Sequence, residues 1–196
     1  GGMGTVFLGQ GDSHFVALKV LPPGHSRTPE LRTRLSGEAR ALRQIQSPFV
    51  ATMVGSDFDS DTSWIGMSFI PGKSLQEHNI PVGMSTAEWL ETLAGTLIGL
   101  CSIHDLGLIH RDIKPGNIVV SENGPHIIDF GITQAPDETV LTQNGGHAGS
   151  PVWLSPDVLE GEVLTAKADV FSLASTMVFV ATGSSPWGNQ NEMTVP

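Results

Sequence analysis

Apolar and polar positions alternate along the first part of the chain. Val6 and Leu8, then Phe15, Ala17 and Lys19, recur every second residue on either side of Gly9-Gln10-Gly11-Asp12, which predicts a β-hairpin over residues 5–21. The period then changes. Leu31, Leu35, Ala39, Leu42 and Ile45 recur at helical spacing behind Thr28-Pro29-Glu30, an N-cap, a first-turn proline and an acid suited to the positive helix end. Glu38 falls on the apolar side of that predicted helix, three residues after Leu35 and four before Leu42. A carboxylate there needs a cationic partner or must stay protonated; the alternative is a flanking side chain that reaches solvent.

Short strands are predicted from Val50 to Ile70, ending at Pro71-Gly72. Ser85-Thr86-Ala87-Glu88 is a capping box that opens a second helix, with Leu90, Leu93, Leu97, Leu100 and His104 expected on its inner face and Gly107 at its end. Residues 117–120 and 126–128 read as short strands around Ser121–Pro125, residues 129–157 as a long loop, and an apolar helix is predicted after Asp169. Strands first and helices later suggest an α+β arrangement of a small β-rich lobe and a larger helical lobe, divided as residues 1–70 and 71–196.

The 196 residues suffice for one sizeable core or two small lobes. Twenty acidic against ten basic residues, a net charge of −10, argue against a nucleic-acid or anionic-membrane surface. Cys101 is the only cysteine, so no intrachain disulfide forms, and a reducing, cytoplasmic setting is expected. The longest mostly apolar stretch, residues 170–181, is too short to cross a bilayer and contains Ser172, Ser175 and Thr176, so no membrane contact is expected from it. The chain opens Gly1-Gly2-Met3, which suggests a piece of a longer protein, one that could carry a membrane anchor elsewhere.

The densest chemistry lies in His110-Arg111-Asp112-Ile113-Lys114-Pro115-Gly116-Asn117, followed by Asp129-Phe130-Gly131. Two carboxylates, a carboxamide and a lysine in this order suit holding a metal-bound nucleotide triphosphate beside a hydroxyl, since phosphoryl transfer is mainly positioning and charge neutralisation. Gly1-Gly2-Met3-Gly4-Thr5-Val6 is a glycine turn before a strand, and Val16-Ala17-Leu18-Lys19 ends a strand on a lysine. Each alone reads as well as an ordinary turn or a solvated charge.

Together these segments resemble the eukaryotic-like (Hanks-type) Ser/Thr protein kinases of bacteria, truncated at both ends, with a bilobal kinase fold incomplete at both termini. The resemblance implies ATP-dependent transfer to Ser/Thr hydroxyls of proteins, the chain itself included, with Mg²⁺ or alternatively Mn²⁺ as the metal. It implies Asp112 and Lys114 as catalytic residues and Asn117 and Asp129 as metal ligands. It places ATP against Gly1, Gly2, Gly4, Val6, Ala17 and Lys19, with Glu38 as the ion-pair partner of Lys19. Met67 would stand behind the adenine and Ser68, Phe69 and Ile70 would form the hinge; Val6 and Ala17 read equally well as plain core residues. Lysine two residues after the aspartate is the Ser/Thr rather than the tyrosine-kinase form, and with the 149–157 segment it disfavours small-molecule phosphotransfer.

Residues 149–157, Gly-Ser-Pro-Val-Trp-Leu-Ser-Pro-Asp, match the family's segment that ends in Ala-Pro-Glu, with Ser150 in place of its threonine and Asp157 in place of the glutamate. Ala168-Asp169-Val170-Phe171-Ser172 matches the helix whose aspartate holds the catalytic loop. Arg111 marks kinases ordered by an activation-loop phosphate, with Thr139, Thr142 and Ser150 as candidate sites and self-association as the route to autophosphorylation. Against this stand Thr133-Gln134, where a second basic arm is usual, and the acids Asp137 and Glu138. A pseudokinase that keeps the fold as a binding or scaffolding module is the alternative; Lys19, Asp112, Asn117 and Asp129, usually lost in such proteins, are all present. Without its closing helices the lobe would leave Phe171, Leu173 and Phe179 partly uncovered, so weak activity or poor solubility of this piece alone is expected.

Overall fold

The computed structural model describes residues 4–11, 14–22, 28–78, 84–130 and 151–187. The hairpin forms as its alternation requires: β1 (Thr5–Gln10) pairs antiparallel with β2 (Phe15–Val20). β3 (Met53–Asp57) and β4 (Trp64–Ser68) complete a four-stranded sheet in the order β1-β2-β4-β3. Its register aligns Val6 with Lys19, Leu8 with Ala17, and Ala17 with Met67. Successive side chains in a strand alternate faces, so these residues share one face of the sheet.

Between β2 and β3 runs α1 (Pro29–Leu42), capped by Thr28, whose hydroxyl accepts from the Leu31 amide at 3.3 Å. Leu35, Ala39 and Leu42 are buried, as is Ile45, which lies just past the helix end.

The second half begins with β5 (Lys73–Ser74), which pairs with β6 (Ile118–Ser121), itself paired with β7 (Gly124–Ile127). Backbone bonds from Ala51 to the Ile127 carbonyl at 2.9 Å and from Ile127 to the Phe49 carbonyl at 2.8 Å tie this small sheet to the segment before β3. α2 (Thr86–His104) opens on the expected capping box, an arrangement of about 1 kcal/mol. After a short 3-10 turn (Pro151–Trp153) come α3 (Pro156–Leu159) and α4 (Ala166–Thr182). α4 starts before Asp169, which sits inside its first turn, and Gly183 ends it with φ of 73°. None of the described helices is long and apolar enough to cross a membrane.

The inner face of α2 differs from the leucine stripe read in the sequence. Leu100 is buried, but Leu90 and Leu97 are 53% and 37% exposed, while Thr92, Gly95, Thr96, Gly99 and Ile103 face inward. Close approach explains the choice. A Cβ on Gly95 would stand 2.6 Å from a Pro125 side-chain carbon, and one on Gly99 would stand 3.0 Å from Ile127 Cδ1. α2 therefore lies almost backbone-to-sheet on β7, and a leucine face would hold it off. The core runs continuously from Leu35, Ile65 and Met67 to Ile113, Ile118, Ile127 and Leu173.

Candidate active site

The loop from His110 to Asn117 is held from below by one buried carboxylate. Asp169, 2% exposed, accepts from the His110 amide at 2.8 Å, the Arg111 amide at 3.0 Å and His104 Nε2 at 2.8 Å. Two consecutive amides can converge on one side chain because Arg111 takes a left-handed backbone, φ 71°. For a non-glycine residue that conformation needs the surroundings to hold it. His110 is fully buried; burial lowers the pKa of its imidazole, so the ring stays neutral. Its two nitrogens are then distinct: Nε2–H donates to the Ile128 carbonyl at 3.1 Å, and Nδ1 accepts from the Asp112 amide at 3.3 Å. Phe130 packs on the ring with centroids 4.8 Å apart, joining the loop to the Asp129-Phe130 segment.

Asp112 is thereby fixed at the top of the loop. One carboxylate oxygen, Oδ2, accepts from Lys114 Nζ at 2.7 Å and Asn117 Nδ2 at 2.9 Å; the same amide nitrogen bonds the Asp112 carbonyl at 2.7 Å. The other oxygen, Oδ1, takes no hydrogen bond from the described residues, which leaves a lone pair for an incoming proton. Asn117, in a 3-10 turn (Pro115–Asn117) rather than at the start of the expected strand, has its nitrogen committed to Asp112 and so presents its oxygen.

Asn117 lines a cavity of about 450 Å³ together with Asp129. Val6, Ala17, Lys19, Met67 and Ser68 come to it from the four-stranded sheet, and Phe69 and Ile70 from the segment after β4. All of these were legible as candidates. Leu8, Ala51, Gly116, Val119 and Ile128 also line it and were missed. Leu8 shares the parity of Val6, a usable signal; Val119 and Ile128 read as ordinary strand positions. Gly4 has φ of 102°, and a Cβ there would stand 2.3 Å from the Val20 carbonyl oxygen, so only glycine fits. Gly1, Gly2, Thr139, Thr142 and Ser150 lie outside the described residues.

One expected contact is replaced. Lys19 does not pair with Glu38: its ammonium donates to Asp129 Oδ1. Glu38 instead faces Arg111 Nη1 at 3.4 Å and Arg34 Nε at 4.0 Å. Burial raises the Glu38 pKa, and the Arg111 and Arg34 guanidiniums pull it part of the way back. The physical reason lies in the balance of charge. A Lys19–Glu38 pair would draw Glu38 from both guanidiniums and leave Asp129 without its ammonium, whereas the observed pairing keeps a counter-charge beside each carboxylate.

The donors present suit a hard divalent cation that arrives with phosphates. Asn117 offers a carboxamide oxygen, Asp129 a carboxylate, and both line the same cavity. No cluster of three or more His, Cys, Asp or Glu side chains forms an all-protein cage among the described residues. Mg²⁺, which keeps several waters and takes few protein ligands, fits two such oxygens.

Comparison with known proteins agrees with this geometry. A family model described as "Protein kinase domain" matches residues 1–195. A probable serine/threonine-protein kinase, PkwA, of Thermomonospora curvata is 38% identical over 189 residues, covering 95% of this chain and 26% of its own length. The serine/threonine-protein kinase AfsK of Streptomyces griseus is 36% identical over 196 residues, with 97% and 24% covered. The chain thus spans about a quarter of the length of these curated relatives. Among solved structures, the PknI kinase domain of Mycobacterium tuberculosis superposes with a TM-score of 0.76 at 26% identity, over 100% of this chain and 73% of that one. The chain belongs to the protein kinase domain family, among its bacterial Hanks-type members.

Proposed function

We propose that this chain transfers the γ-phosphoryl group of ATP to serine and threonine hydroxyls of proteins. The observation that carries the reading is the Asp112 carboxylate: Oδ2 is anchored by Lys114 and Asn117, Oδ1 is left open, and the backbone beneath is pinned by Asp169. The names of the relatives, serine/threonine-protein kinases, support the choice of acceptor.

In this reading the adenine lies between Val6 and Ala17 above and Val119 and Ile128 below, against Met67 and residues 68–70. The triphosphate then runs towards Lys19 and Asp129. Asn117 and Asp129 would hold Mg²⁺, which supplies charge neutralisation on the phosphates. The acceptor hydroxyl attacks the γ-phosphorus, the bond to the β,γ-bridging oxygen breaks, and the hydroxyl proton passes to Asp112 Oδ1. Lys114, whose ammonium donates to Asp112 at 2.7 Å, would neutralise the transferred group and the base together. Lys19 reaches phosphate oxygens only by releasing or sharing Asp129, so the ion pair seen here has to loosen for turnover. Thr139, Thr142 and Ser150 are the proposed self-phosphorylation sites, modified by a second copy.

The test is incubation with γ-labelled Mg·ATP and a basic generic protein, followed by hydrolysis and identification of the labelled amino acid. Label in phosphoserine and phosphothreonine is expected. Label confined to a small-molecule acceptor, or none in any acceptor under Mg²⁺ or Mn²⁺, would refute the assignment.

A further inference from the structure

A second cavity, of about 570 Å³, lies along one flank of α1 and shares no residue with the nucleotide cavity. Ser36, Gly37 and Arg40 line it on the helix side and Asp59 stands on the other. Four of the chain's ten basic residues, Arg32, Arg34, Arg40 and Arg43, fall in this one helix and its cap, in a chain of net charge −10. Arg34 turns inward to Glu38. Arg40 is exposed and forms no ion pair among the described residues, not even with Asp59 across the groove.

Three features of this flank have no return among the described residues. Gly37 sits mid-helix, at about 1 kcal/mol less favourable than alanine, although a Cβ there would meet nothing within 4 Å. Arg40 and Arg43 are three apart, a spacing at which like charges repel. The Ser36 hydroxyl makes no hydrogen bond among the described residues, while the neighbouring Thr33 hydroxyl is spent on the Pro29 carbonyl at 2.9 Å. A bare glycine backbone between an open hydroxyl and an unpaired guanidinium is what a second chain needs to come close.

We propose that this flank of α1 is a docking groove for an acidic peptide segment of a partner protein. Charge complementarity sets the sign. Length sets the class: the lining of the groove runs from Pro29 to Arg40, about 16 Å at about 1.5 Å per residue, so it suits carboxylates spaced along a peptide rather than one small anion. Asp59 repels acids at its own wall and directs them to Arg40, with Arg43 one turn further along the same helix end.

The experiment is fluorescence anisotropy with a short fluorescein-labelled Glu/Asp-rich peptide at low salt, repeated at about 0.3 M NaCl, with sedimentation of the protein alone. Binding that weakens with salt is expected. The double variant R40E/R43E should bind at least about tenfold more weakly, and Gly37→Leu about fivefold more weakly with a melting temperature no lower than that of the wild type. Asp59→Asn should bind about two- to threefold more tightly. Lys73→Glu, outside the groove, should bind as wild type. Equal weakening by Lys73→Glu, or wild-type binding by Gly37→Leu, would show diffuse charge attraction and overturn the proposal. So would a wild-type dimer that R40E/R43E dissociates, since the occupant would then be a second copy.

Discussion

The loop around Asp112 and the ion pairs around Lys19 serve one cavity but are built differently. In the loop, Asp112 meets Lys114 and Asn117, two and five residues away, so spacing along the chain nearly dictates the contacts. At Lys19 the partner is Asp129, 110 residues away, and Glu38 finds Arg111 across 73. Those choices depend on how α1, β2 and the Asp129 segment pack together, and several pairings satisfy the same sequence. Groups fixed locally carry the proposed proton transfer. In the proposed function, the charges paired over long range would have to move for a triphosphate to reach Lys19.

The largest effect that would break this contrast is expected at Asp169. Asp169→Ala removes the acceptor of two amides and of His104, and hydrogen bonds to charged groups are each worth about 1.5–3 kcal/mol, so denaturant melts should show a loss of about 3 kcal/mol or more. Phosphoryl transfer should fall with it. A variant as stable as wild type would mean that the loop holds its left-handed turn at Arg111 unaided.

A double-mutant cycle sharpens the other side. Lys19→Met and Asp129→Asn should couple by about 1 kcal/mol or more in stability, while Lys19→Met and Glu38→Gln should be additive within about 0.5 kcal/mol. The reverse order of couplings would restore the pairing that the sequence suggests.

A smaller effect is expected with pH. Burial depresses the folded-state pKa of His110, so its contribution is present above its ordinary value near 6.5 and is lost as pH falls through the lower folded value. His126, also depressed by burial, adds in the same direction. Melting temperature should therefore drop between pH 7.5 and 5.5, and His110→Phe should drop less over the same interval, whatever its absolute stability. An equal drop would remove His110 from the acid response.

Much of this could be read from the sequence because the signals were local. The Thr28 and Ser85 caps, the β1–β2 hairpin and the loop motif each rest on residues within a few positions of one another. α2 shows where such reading stops. Its leucines obey helical spacing, yet the buried side belongs to Gly95 and Gly99 because β7 comes too close for larger residues, a fact of packing invisible to periodicity. Val119 and Ile128 likewise became cavity residues only when β6 and β7 came beneath the first sheet. The Glu38 carboxylate lies half-buried on the side of α1 that its spacing predicts, but which cation it faces is decided by tertiary structure.

The most direct measurement compares Asp112→Asn with wild type in single-turnover transfer from γ-labelled Mg·ATP, with nucleotide affinity and melting temperature measured on both. Asparagine keeps the size and an oxygen for Lys114 and Asn117 but cannot take the proton. Transfer should slow by about 10²–10⁴-fold, the range of general-base catalysis, with affinity and melting temperature little changed. Transfer at the wild-type rate would contradict the role given to Asp112, and with it the account of why this loop is built as it is.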